Sequence, residues 1–210
     1  MLIGFDEINK ILVSKNITIN GVLHIGAHDC EELQFYHRLG LKSEDVVWID
    51  AIPYKVEQAH ERGIPNVYNA IISDTDDQEV VLNITNNIQS SSILELGTHL
   101  YEHPSVVCID TLQSKSITVD TFFERNGIDY TKYDFWNFDI QGAELMALKG
   151  SINAIKYAKA LYLEVNEKEL YKNCALIDEI DSFLSQYNFK RVLTTITQHG
   201  WGDALYVIDN

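Results

Sequence analysis

The chain has 210 residues, 46% of them hydrophobic, which suits one domain with a continuous core and is short for two. Its 31 acidic against 16 basic residues give a formal charge of -15, and this disfavours nucleic acid and anionic lipid as partners, because polyanions recruit basic surfaces. No basic flank leads into a long apolar run, and no stretch approaches the roughly 18 apolar residues of a membrane span, so neither export nor membrane insertion is expected and the cytoplasm is the expected compartment. Cys30, Cys108 and Cys174 lie far apart without metal-ligand or C-x-x-C spacing, and read as buried thiols in a reducing environment.

Along the chain, IGFDEINKILVSK carries apolar residues at helical spacing (Ile8, Ile11, Leu12), and INGVLHIG then shifts to a short extended run ending at glycine. CEELQFYHRL reads as helix, DVVWID as strand, YKVEQAHERG as helix and NVYNAII as strand, the alternation of βαβ units around a parallel sheet. QEVVLNIT is a further strand. Residues 86–115 show no sustained periodicity and are expected to form an irregular active-site loop or lid within a single domain spanning 1–210. ITVDTFFERNG predicts a helix starting at Thr118, DFWNFDI a buried strand, and AELMALKG a helix stopped by Gly150. After the strand AKALYLEV and the amphipathic helix ALIDEIDSFLSQY, the segments FKRVLTTIT and ALYVID flank QHGWGD as an antiparallel hairpin.

In VLHIGAHDCEE, Gly26 falls between a strand and a helix, where a chain turns tightly and a ligand can approach the backbone. The full G-x-G-x-x-G is absent, since His28 and Glu31 stand at the later glycine positions. Asp50 ends a strand 24 residues beyond Gly26, close to the interval at which an acid receives ribose hydroxyls, although a solvated strand-end aspartate reads the same way. Asp29, Glu31 and Glu32 fall in the expected first helical turn, where they would repel a pyrophosphate. A sulfonium cofactor without phosphate therefore fits better than NAD.

Four blocks, VLHIGAHDCEE, WIDAIP, NAIISD and above all FDIQGAELMALKG, make the chain resemble the FkbM-type methyltransferases from about Val22 to Val207. That resemblance implies a Rossmann-like class I methyltransferase fold, with a mostly parallel sheet, a C-terminal antiparallel hairpin and flanking helices. It also implies S-adenosylmethionine as cofactor and a hydroxyl acceptor on a sugar, in a glycan or a glycosylated metabolite. For cofactor binding it implies His24, Gly26, Ala27 and His28 at the methionine end, Asp50 and Ala51 at the ribose, Ala70 and Ile71 at the adenine, with Ser91, Ser92 and Asp139 nearby. His28 and Cys30 depart from the small or polar residues that relatives carry in this turn.

At the reacting end, Asp139 closes a strand at the sheet edge where α/β ligands collect, and Glu164 closes the next one. The two could share a proton or bind a divalent metal ion through their oxygens; helix capping is the plainer reading of Asp139. Glu144, early in a helix, either takes part directly or anchors the strand loop. His199 in the hairpin turn is a candidate general base. His99 and His103 lie four apart, as a metal pair does, but their context beside Pro104 reads as solvated loop. Tyr130, Tyr133, Trp136 and Trp201 are the aromatics suited to a sugar face. The rival readings are an NAD-dependent oxidoreductase acting on a sugar and a catalytically inactive cofactor-binding scaffold.

Overall fold

A computed structural model of the chain describes residues 1–209. The amphipathic helix α1 (Phe5–Ser14) buries Ile8 and Leu12 and leads to β1 (Val22–Ile25). There follow α2 (Leu33–Arg38), β2 (Val46–Asp50), α3 (Pro53–Glu61) and the short β3 (Val67–Asn69). The middle of the chain holds β4 (Ile71–Ile72), β5 (Glu79–Thr85), α4 (His99–Glu102) and β6 (Cys108–Ile117). The second half runs α5 (Val119–Arg125), β7 (Phe135–Phe138), α6 (Glu144–Lys149), β8 (Ala160–Asn166), α7 (Ile177–Ser185), β9 (Phe189–Ile196) and β10 (Trp201–Ile208).

Seven strands form one sheet in the order β3-β2-β1-β7-β8-β10-β9. The first five pair in parallel, and β10 runs antiparallel between β8 and β9, which is the terminal hairpin the sequence predicts. β1, β2, β7 and β8 are buried on both faces, which is why they read as unbroken apolar runs. From β1 the chain steps outward through β2 and β3, then returns to β7 on the other side of β1. This reversal opens a crevice at the carboxyl ends of β1 and β7.

Gly26 makes the reversal possible. Its φ is +92°, and a Cβ there would lie 1.9 Å from the carbonyl oxygen of Asp139, just beyond β7. The glycine is needed for strand ends to meet as much as for a ligand. The following helix begins only at Leu33, because His28 and Cys30 have φ of 42° and 53° and break the turn; Asp29, Glu31 and Glu32 therefore sit in the loop rather than in a helical first turn.

Three further expectations are corrected. NVYNAII divides at Ala70: β3 joins the large sheet, whereas β4 joins a small sheet of order β4-β6-β5. Residues 108–115, expected to be irregular, belong to β6, whose mostly exposed side chains give it no apolar alternation. Cys108 on that strand is exposed, while Cys30 and Cys174 are buried; all three thiols are free. Thr118 does start α5, its Oγ1 accepting from Thr121 N at 3.2 Å.

Candidate active site

A cavity of about 350 Å³ lies over the β1–β7 switch point. On the β2 side Asp50 is 7% exposed, and its carboxylate already accepts from His28 N (2.7 Å) and Ile52 N (2.8 Å). Each carboxylate oxygen has two acceptor directions, so both can still receive a hydroxyl. Burial raises the acid's pKa, and those two backbone bonds oppose the rise. Ala51, Ala70 and Ile71 line the same end, with Ile52, Ile71 and Leu82 forming a separate apolar cluster there.

Gly26, His24 and His28 also face the cavity, whereas Ala27 does not: it is buried in the helix-facing core beside β1. His24 is 2% exposed, with Nδ1 2.8 Å from the Tyr36 hydroxyl and its ring over Trp48; burial holds it below the usual histidine value. His28 pairs with Glu31 through Nδ1 at 2.8 Å. Ser91 and Ser92 line the cavity, but their hydroxyls are engaged. Ser91 Oγ accepts from Thr85 N, and Ser92 Oγ donates to Gln141 O at 2.8 Å, fastening residues 88–92 to the loop after β7.

That loop organises the reacting side. Glu144 is buried, and one of its oxygens accepts from Ile140 N (2.9 Å) and Gly142 N (3.3 Å), so it anchors the strand loop. Burial pushes its carboxyl up to about 8. The Gln141 amide, projected by a backbone at φ 59°, donates to Asp139 Oδ1 at 2.7 Å and to Glu164. Asp139 and Glu164 are thus brought together as expected, through a residue to which the sequence pattern assigns no role although it lies inside FDIQGAEL. Glu164 is held well above the ordinary carboxylate range by burial and then by repulsion from Asp139 and Glu144. Among the described residues, the one grouping of three side chains spaced to hold a metal is His28, Asp29 and Glu31.

The remaining candidates separate. His199 is not in the cavity wall; its Nδ1 is bound to Glu102 at 2.8 Å and its ring lies 4.6 Å from that of His103. His99, expected in solvent, is 4% exposed and lines the cavity, as does His103. The burial of His99 comes from the distant segment 169–171, against which α4 is pinned by backbone bonds, so no local signal announces it. Of the four aromatics, Trp201 lines the cavity. Trp136 is fully buried, and Tyr130 and Tyr133 pack on the core beside Phe123. Asp203, also missed, lines the cavity on β10 and binds the Tyr162 hydroxyl and Leu2 N.

Six carboxyl groups line this cavity (Glu31, Glu32, Asp50, Asp139, Glu164, Asp203), with no lysine or arginine. The sequence of that site also has a family. The Methyltransferase FkbM domain matches residues 24–191, four-fifths of the chain, from the second half of β1 through β8. The chain belongs to the FkbM methyltransferase family. No curated protein matches it.

Solved structures similar to this FkbM domain include a protein of the NADB-Rossmann superfamily from Streptococcus agalactiae. That protein is 15% identical with a TM-score of 0.50, over 99% of this chain and 69% of the other. The magnesium protoporphyrin IX methyltransferase of Synechocystis PCC 6803 with bound SAM gives 12% identity and a TM-score of 0.48, over 98% and 78%. A SAM-dependent methyltransferase from Bacteroides fragilis in complex with S-adenosyl-L-homocysteine gives 8% and 0.46, over 99% and 78%. The first of these likenesses concerns the fold, which is Rossmann-like, and the strand order with its antiparallel β10 is the one expected of a class I methyltransferase. No helix among the described residues is long and apolar enough to cross a membrane.

Proposed function

We propose that this FkbM domain transfers a methyl group from S-adenosylmethionine to a hydroxyl of a sugar, in a glycan or a glycosylated metabolite. The observation that carries the cofactor assignment is the cavity lined by six carboxyl groups and no lysine or arginine. A dinucleotide would bring a pyrophosphate into that field and be repelled, whereas a sulfonium and an ammonium are attracted. The residues present fit the group: Asp50 has free acceptor directions for a ribose diol, Ile52, Ile71 and Leu82 offer an apolar slot for adenine, and Glu31, Glu32 and Asp139 face the cationic end.

When bound, the cofactor supplies an electrophilic methyl on a positively charged sulfur. The protein's part is to align the acceptor oxygen in line with that methyl and to exclude water. Asp139 holds charge opposite the cationic end, and Gln141 fixes its direction. Burial and its acidic neighbours raise the Glu164 carboxyl and so disfavour its ionised form. His199 is committed to Glu102. A sugar is the acceptor class favoured by the polar side chains of the cavity, Gln89, Ser90 and Gln141 among them, and by Trp201, the one tryptophan that lines it.

Calorimetry with S-adenosylhomocysteine and with NAD tests the assignment. Micromolar binding of the former, weakened at least about tenfold by Asp50→Ala through the loss of charge-assisted hydrogen bonds, is the expected result. Binding of NAD alone would return the oxidoreductase reading. Cofactor binding without turnover on any glycoside would leave a scaffold.

A further inference from the structure

Five buried side-chain polar atoms among the described residues lack a hydrogen-bond partner. Four of them belong to Thr98 (Oγ1), His99 (Nδ1) and Asn166 (Oδ1 and Nδ2). Thr98 and His99 lie against the segment that follows Asn166 and β8: Thr98 N donates to Glu169 O at 2.9 Å and His99 N to Leu170 O at 3.2 Å. Unpaired buried polar groups are rare in native folds and collect where a ligand or ordered water completes them. Of the three side chains, His99 is the one that lines the cavity.

His99 is also connected to the acidic pair. Its ring lies 5.5 Å from that of Tyr171, the Tyr171 hydroxyl donates to Gln141 Oε1 at 2.7 Å, and the Gln141 amide binds Asp139 and Glu164. The imidazole and the carboxyls therefore belong to one rigid wall. Resting on the methyltransferase reading above, we propose that His99 is the base that takes the proton from the acceptor hydroxyl. In the step, the acceptor O–H bond breaks and its proton passes to the imidazole. An oxygen lone pair forms the O–CH3 bond as the S–CH3 bond breaks, and the bonding pair stays on sulfur as a neutral thioether. The single positive charge moves from sulfur to His99.

The surroundings suit that role. Burial and then the neighbouring His103 hold His99 below the ordinary histidine value, so it is neutral at pH 7. The groups facing it are His103 from its own helix, with rings 4.9 Å apart, and Tyr171 from the segment after β8; Glu102, His199 and Lys168 form the layer behind. His103 stands between His99 and the half-exposed His199, which gives the proton a direction of departure.

NMR titration of the histidine rings, with His99 assigned through His99→Gln, tests the placement directly. If His99 faces the reacting methyl, its pKa is lower by about one unit with S-adenosylmethionine than with S-adenosylhomocysteine, because only the former carries the sulfonium charge. His37 and His60, on remote helices, should not move. An unchanged His99 pKa in the presence of demonstrable binding overturns the proposal, and no calorimetric binding of either ligand overturns the methyltransferase reading on which it rests. Turnover is read with a mixture of methyl glycosides as acceptor. His99→Gln should lose about 100-fold or more and flatten the acidic limb of the pH profile, with affinity for S-adenosylhomocysteine kept within twofold. His199→Gln should retain that limb. If His99→Gln keeps both rate and limb, the proton goes elsewhere; if the wild type methylates no glycoside, the sugar assignment falls and the shift measurement decides the place of His99.

Discussion

Replacing Gly26 by alanine measures how closely β1 and β7 must approach at the switch point. Two penalties add. An alanine held at a φ of +92° costs about 1–2 kcal/mol. Its Cβ would also stand 1.9 Å from the Asp139 carbonyl oxygen, so the two strand ends must part by roughly 1 Å or more, an overpacking strain of about 1–3 kcal/mol. The sum, about 2–5 kcal/mol, corresponds to a fall in Tm of roughly 5–15 °C for a chain of this size. Gly40→Ala is the internal control: Gly40 has a φ of +89° and a Cβ added there would meet nothing within 4 Å, so this variant carries the conformational penalty alone, about 5 °C. Thermal unfolding followed by circular dichroism, together with calorimetry of S-adenosylhomocysteine, gives both readouts. The affinity should drop at least about tenfold in Gly26→Ala, because Asp139 moves with the strand end. Equal Tm values for the two variants would falsify the steric part of the reasoning.

Two other predictions concern charge. In the folded chain Glu144 is protonated up to about pH 8, while its unfolded counterpart ionises near the ordinary carboxylate value; the folded state thus binds more protons in that window, and stability must fall as pH rises through it. Glu144→Gln keeps the acceptor oxygen for Ile140 N and Gly142 N, so chemical denaturation at pH 5 and pH 8 should show a shallower decline, with a gain on the order of 3 kcal/mol at the higher pH. Asp134, 2% exposed, accepts from Asn20 N and Nδ2 and pairs with Lys159 at 2.7 Å, tying the entry of β1 to the entry of β7. Asp134→Ala should cost about 3–5 kcal/mol, whereas Lys159→Ala, at a partner open to solvent, should cost about 1 kcal/mol or less; comparable losses in urea unfolding would contradict this account.

The parallel sheet was legible because DVVWID, DFWNFDI and ALYLEV are buried on both faces and so advertise themselves as continuous apolar runs. The acids at their ends, Asp50, Asp139 and Glu164, inherit a position in the crevice from that topology. What stayed hidden depends on contacts far apart in sequence. β6 has no alternation to read because its side chains face solvent, and it is defined by pairing with β5. His99 looks like a loop histidine until the 169–171 segment covers it, and His199 looks like a free turn histidine until Glu102 claims it. Trp136 has the composition of a ligand platform and the burial of a core residue, a distinction set by the packing of α5 and not by its neighbours in the chain.

The excursion between β4 and β6 leaves and re-enters the domain at one point, since Ile71 and Ile72 pair side by side with Ser116 and Ile117. Its two ends are therefore held together whatever lies between them, and loop-closure entropy changes only slowly with the length of the intervening chain. The parallel sheet carries Gly26, Asp50 and Asp139, whereas the excursion carries Ser91, Ser92, His99 and His103. The excursion is nonetheless docked, not free: Ser92 binds the loop after β7, and Gly97, Thr98 and His99 bind the segment after β8, so its side chains reach the crevice from a fixed position.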